Sequence, residues 1–161
     1  MTFKGVTHIP KTEQEVFQND REWEKDLPSK LHGDQIRLKQ VVINLAKNAL
    51  KFSTKGEIRI RAAYNQSDEM LLVSVTDKGA GITEQEKSRL FQAFGKLNEH
   101  AQSNPEGVGV GLAICKKIVQ KSGGFIDVFS KGLNQGATFV FGMRMKMLDL
   151  DLTPLRNFYD F

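Results

Sequence analysis

Cysteine is almost absent. Cys115 stands alone in 161 residues, so no disulfide can close within the chain, and a reducing compartment is expected. Four prolines and one tryptophan exclude collagen-like and proline-rich sequences. No run approaches the roughly 18 apolar residues of a membrane-spanning helix. The first residues, MTFKGVTHIPKTEQE, lack the apolar stretch of a signal peptide. A cytoplasmic domain with no membrane segment is the expectation, whatever anchors a larger parent protein. Charge of one sign is scarce as well: 23 basic and 19 acidic residues leave a net +4, and the charges are interspersed. A nucleic-acid footprint would gather the basic residues on one face or arm, so no nucleic-acid partner is expected. The small basic excess suits a polyanionic small molecule instead.

What remains is an ordinary globular composition, with 40% hydrophobic and 26% charged residues. The length fits one domain that buries about 70% of its unfolded surface. Residues 1–30 read as a polar edge segment, with a short strand at Glu15–Asn19 and a turn at Asp26–Lys30 around Pro28. Residues 31–146 read as the domain, and 147–161 as a C-terminal tail that could dock elsewhere.

The clearest element is a helix over residues 34–52, DQIRLKQVVINLAKNALKF. Asp34 is a good N-cap after Gly33. Leu38, Val41, Val42, Leu45, Ala49 and Phe52 recur at helical spacing and make an apolar stripe. Asn44, Asn48 and Lys51 form a second stripe about 110° further round. Ser53–Gly56 should end the helix. Glu57–Ala63 alternates as a strand does, and Met70–Thr76 should pair with it as an antiparallel hairpin. Asp77–Gly81, DKGAG, reads as a loop. Thr83 and Glu86 form a capping box that opens a short helix to about Phe94. Gly95–Glu106 has no apolar pattern and reads as a loop. Gly107–Gly111 leads into a helix over Leu112–Lys121, closed by Gly123 and Gly124. Phe125–Ser130 and Ala137–Met145 are the last strands, joined by Lys131–Gly136, with Phe139, Phe141, Met143 and Met145 on one face. Strand pairs between helices predict an α+β two-layer sandwich: a mixed, mostly antiparallel sheet with helices on one face.

Three features can carry chemistry. GVGVG, residues 107–111, opens a helix, where free N–H groups bind anions and glycines let phosphate approach. It is neither a Rossmann nor a Walker loop, because Leu112 follows and no GK[ST] is present; a turn built only for geometry is the plain alternative. Asp77 stands at a strand end beside Gly79 and Gly81. It can accept a hydrogen bond from a ring amine, or simply cap the next turn. Two asparagines on one helix stripe are unusual for a solvated face. Their amide oxygens suit Mg²⁺, and Lys51 adds charge for phosphate; bonding to neighbouring backbone is the alternative.

Together these motifs resemble the ATP-binding domain of the histidine kinases, within the superfamily that includes gyrase B, Hsp90, MutL and the mitochondrial dehydrogenase kinases. The likeness covers about residues 30–143. NLAKNALKFS resembles the N box, DKGAGI (77–82) the G1 box, LFQAF (90–94) the F box, GVGVGLAI (107–114) the G2 box and GATFVF (136–141) the last strand.

The resemblance implies ATP and Mg²⁺ as ligands. Asn48 would ligate Mg²⁺, with Asn44 nearby, and Lys51 would reach the phosphates. Asp77 would bond the adenine amino group, with Gly79, Gly81 and Ile82 bordering the base and Thr138 supporting that end. Phe91 and Phe94 would anchor an ATP lid over residues 95–106. Gly107, Gly109 and Gly111, with Val110 and Leu112, would complete the phosphate site. Asn44, Asn48, Lys51 and Lys96 form the implied catalytic set. Lys96 replaces the arginine common after the F box, keeping charge but not the planar fork. Val108 replaces a common Thr or Ser and removes a hydroxyl contact. Relatives of the gyrase, MutL and Hsp90 type place an acid near Asn44 to activate water. An amide is no general base, so transfer to a supplied nucleophile is favoured over hydrolysis. His8, His32 and His100 lack the context of the family's phosphoacceptor, so the acceptor would be a separate helical dimerisation domain, with a response regulator downstream. A nucleotide-sensing module without transfer activity and a gyrase-type ATPase are the alternatives. Cys115 reads as a small core residue.

Overall fold

The computed structural model describes residues 27–91 and 110–148. In chain order the elements are β1 (Leu31–His32), α1 (Gln35–Phe52), β2 (Ser53–Asn65), β3 (Met70–Gly79), α2 (Glu84–Lys87), α3 (Gly111–Lys121), β4 (Phe125–Phe129), β5 (Ala137–Arg144) and β6 (Lys146–Met147). Four strands form one sheet in the order β2-β3-β5-β4. Each pair in it is antiparallel, so the described sheet is not mixed. The early strand expected at Glu15–Asn19 lies outside the described residues.

Helix α1 starts where its N-cap requires: Asp34 Oδ1 accepts the Arg37 N–H at 2.9 Å. Val41, Leu45 and Ala49 from its apolar stripe are buried. They pack with Cys115, Ile118 and Val119 of α3 on the sheet residues Val73, Val75, Phe139, Phe141 and Met143. Full burial of one such side chain is worth about 1.5–3 kcal/mol. Phe52 departs from the expected stripe and is 40% exposed, because the chain leaves the helix there and enters β2. Helix α3 ends in a paired-carbonyl stop. Gly123 N–H bonds Gln120 O and Gly124 N–H bonds Val119 O, with Gly123 at φ +71°.

The strands run further than periodicity suggests. β2 begins at Ser53, directly after the helix, and β3 continues through Gly79 with Ser53 opposite Gly79. An irregularity between Ser53 and Ile58 restores the register. Asp77 is therefore a strand residue, paired with Ala137, and not part of a loop. The capping box at Thr83 and Glu86 is formed, but α2 is one turn long; Leu90 N–H then bonds Glu86 O at 3.1 Å in a closing turn. Residues 92–94 of the expected helix lie outside the described residues. β1 and β6 make a two-stranded ribbon, Leu31 opposite Met147, tied to the sheet by Tyr64 Oη donating to Met145 O at 2.9 Å.

Candidate functional site

Helix α1 links two boundaries on the helix side of the sheet: its C-terminal end meets the end of β3, and its middle meets the start of α3. Ala80 N–H bonds Phe52 O at 3.2 Å. At Gly79 a β-carbon would stand 2.1 Å from Phe52 O and 2.8 Å from Asp77 Oδ1, so the helix end and the strand end can meet only over a glycine. Asn44, two turns earlier on α1, donates from Nδ2 to Gly111 O at 3.1 Å. The stripe Asn44, Asn48, Lys51 thus runs from the α3 start towards the β3 end, about 10.5 Å of helix rise. Asn48 is half-buried and Lys51 exposed, with the Lys51 ammonium 5.5 Å from the Phe52 ring centre.

Asp77 is 6% exposed. Its Oδ1 accepts the Gly79 N–H at 2.8 Å. Burial pushes its carboxyl above the ordinary value, and hydrogen bonds from the Gly79 and Ala137 backbone offset part of that rise. Ser53, opposite Gly79, has a buried hydroxyl with no hydrogen-bond partner among the described residues. An acid and an orphaned hydroxyl at one spot suit a ligand with several polar ring atoms.

Behind Asp77 the turn at residues 79–82 is stitched to the β4–β5 turn. Asn134 N–H bonds Ala80 O at 2.6 Å and Gly136 N–H bonds Gly79 O at 3.1 Å. Ser130 Oγ accepts the Ile82 N–H at 3.0 Å and donates to Gly136 O at 2.7 Å. Gly81 holds φ +71°, and a β-carbon there would lie 1.9 Å from Gly132 O. Ser130, Asn134 and Gly136 were not read as site residues. The Gly- and Asn-rich turn was visible in the sequence, but not what it touches.

Thr138 does not reach Asp77. Its hydroxyl lies 3.1 Å from that of Thr76, one register position away and on the other face of the sheet, because side chains alternate along a strand. The backbone of Gly79 and Ala137 supports Asp77 instead. Ile82 is buried, Leu112 packs on the core, and Phe91 packs there too, with the Lys116 ammonium 6.0 Å from its ring. At the start of α3, Val110 offers no side-chain cap. Among the described residues no side-chain cap is formed at that first turn, and a helix start with open N–H groups is the kind that takes an anion. A β-carbon at Gly111 would stand 2.7 Å from Asn44 Oδ1, so glycine is what admits the Asn44 amide. Phe94, Lys96, Gly107 and Gly109 lie outside the described residues, as do His8 and His100; His32 is exposed on β1. Cys115 is fully buried, its thiol pushed up to about 11 by desolvation. Among the described residues no three His, Cys, Asp or Glu come together, and no helix is long and apolar enough to cross a membrane.

A family profile described as histidine kinase-, DNA gyrase B-, and HSP90-like ATPase matches residues 33–147. The signal transduction histidine-protein kinase BarA of Escherichia coli (strain K12) is 38% identical over 132 residues, 80% of this chain and 14% of that protein. The sensor histidine kinase GacS of Pseudomonas protegens is 39% identical over 109 residues, 66% of this chain and 12% of that protein. The chain therefore spans a small part of these curated relatives. Among solved structures, full-length ShkA in complex with AMPPNP superposes with a TM-score of 0.65 at 31% identity, over 76% of this chain and 24% of that one. The mycobacterial sensor histidine kinase MprB gives 0.60 at 30% identity, over 72% and 75%.

Proposed function

Since the chain belongs to the histidine kinase-, DNA gyrase B- and HSP90-like ATPase family, we propose that it is the catalytic ATP-binding domain of a sensor histidine kinase. It binds Mg-ATP and hands the γ-phosphate to a histidine on a separate helical domain, from which a response regulator takes it. The observation that carries this reading is Asp77, a carboxylate held almost out of solvent at a strand end, beside a Ser53 hydroxyl that has no partner among the described residues.

Asp77 accepts a hydrogen bond from the adenine amino group, and the turn at 79–82, braced by Ser130 and Asn134, gives the ring a fixed surface. The triphosphate lies along the α1 stripe towards the open N–H groups of α3. Asn48 would hold Mg²⁺ together with phosphate oxygens and water; the ion, when bound, neutralises triphosphate charge. Lys51 adds a point charge there. Asn44 spends its Nδ2 on Gly111 O and so positions the phosphate end. No side chain on the stripe can deprotonate water, so the nucleophile comes from outside. Exposed Ile36, Ile43 and Leu50 recur every seven residues beside that stripe, and α1 has no acidic residue. An acidic amphipathic helix fits there.

Calorimetry with Mg-ADP tests the pocket: no binding, or equal binding by Asp77→Asn, would overturn the assignment. Transfer is tested with labelled ATP and an added helical-hairpin domain; steady hydrolysis without an acceptor would favour an ATPase instead.

A further inference from the structure

The apolar side chains of the sheet are buried on both of its faces. Opposite the helices, Ala63, Met70, Leu72, Phe125 and Val140 form a second buried cluster. Helix α1 is the contrary case. Besides its core stripe and its asparagine stripe it carries a third, made of Ile36, Ile43 and Leu50. At 100° per residue these three fall within about 40° of one another, on the side opposite Val41 and Leu45. They are 78%, 52% and 65% exposed. One exposed aliphatic side chain is ordinary on a protein surface; an aligned row of three, about 21 Å long, is not. The spacing of seven is that of a helix lying along another helix, because it keeps one seam in contact as the two wind about each other. Lys39 and Lys47, both exposed, flank the row, one on each side. With Arg37 and Lys51 they make four cations on a helix that has no acidic residue. Against a second copy of α1 that charge would meet its own sign, which disfavours self-association.

We propose that the Ile36–Ile43–Leu50 row is a docking seam for one acidic amphipathic helix of a partner domain. That helix carries apolar residues at heptad spacing to meet the row, and acidic residues on its two flanks to meet Lys39 and Lys47. The apolar row supplies the affinity, and the charges select the partner and fix its register. The seam lies about 100° round α1 from the Asn44, Asn48, Lys51 stripe. A docked helix therefore stands beside the nucleotide groove without filling it. The interface goes beyond nucleotide binding and does not depend on it.

The probe is a synthetic helix of three heptads with leucine in the seam and glutamate on both flanks; a lysine-flanked copy is its counterpart. Calorimetry should show the full chain binding the glutamate-flanked helix at least tenfold more tightly than the lysine-flanked one. Ile43→Asp should abolish that binding. Lys39→Glu/Lys47→Glu should reverse the preference, a swap that mere loss of structure cannot produce. All three positions are exposed, so the melting temperature should hold, and Mg-ADP should bind every variant equally. A chain that takes the acidic helix but no nucleotide would refute the proposed function alone; one that takes nucleotide but not the helix would refute the seam alone. Equal binding of both helices, or a dimer of the chain that Ile43→Asp dissociates in sedimentation, would overturn the proposal. Binding that emerges only after removal of residues 1–26 would overturn it as well, since the seam would then be occupied from within the chain.

Discussion

The two ends of the site are built in opposite ways. At the Asp77 end nearly every polar group is engaged within the protein: Asp77 with Gly79 and Ala137, Ala80 with Phe52 and Asn134, Ser130 with Ile82 and Gly136. At the Gly111 end, among the described residues, one side-chain bond, from Asn44, is paired with a helix start that lacks a side-chain cap. Under the proposed function, the contrast follows from what each end would recognise. A ring is read by shape and by one or two fixed polar groups, so rigidity serves it. Phosphate is bound by donors that must be left unspent until it arrives.

That contrast can be broken first at the rigid end. Asp77→Asn should weaken Mg-ADP binding about 10–100-fold, the loss of a hydrogen bond to a charged group, while the unliganded melting temperature holds or rises. Calorimetry and thermal unfolding measure the two separately; a fall in both would mean that Asp77 is structural. Gly81→Ala should cost about 2 kcal/mol or more of stability, because φ +71° and the Gly132 carbonyl leave no room for a methyl group. Urea unfolding reads this directly. At the open end the change should be milder and selective. Asn44→Ala should reduce ADP affinity about fivefold, one neutral hydrogen bond, and leave adenosine binding unchanged; equal losses for both ligands would erase the distinction between the ends. Thr83→Ala, removing the cap of α2, should cost about 1 kcal/mol in unfolding free energy with little effect on either ligand.

The smallest effect is in pH. The Asp77 carboxyl titrates above its ordinary value in the folded state, so in the window between the two values the folded chain binds more protons than the unfolded one. Stability should therefore fall as pH rises through that window, and the slope should vanish in Asp77→Asn. Denaturation midpoints across a pH series would show it.

Helix α1, its Asp34 cap, the Thr83–Glu86 box and the closing glycines of α3 could be read from residues alone, because each is decided by neighbours within about four positions. Asp77 and Gly79 were legible as chemistry but were assigned to a loop. Their strand geometry comes from Ser53 and Ala137, remote in sequence. Thr138 meets Thr76 and not Asp77, since a one-residue change of position moves a strand side chain to the opposite face. Ser130 and Asn134 gave no sign of their roles, because a turn sequence specifies its own bend and not what it leans on.

By itself the amino-acid order determined which segments coil, which extend and which side chains could meet a nucleotide, all consequences of local backbone preference and apolar period. Tertiary structure alone decided where strands begin and end, which turn braces the Asp77 end, which backbone amides hold that acid, and that the far side of the sheet is shut away from water. Those outcomes depend on hydrogen bonds and burial between distant residues, which become favourable only once the chain has closed on itself.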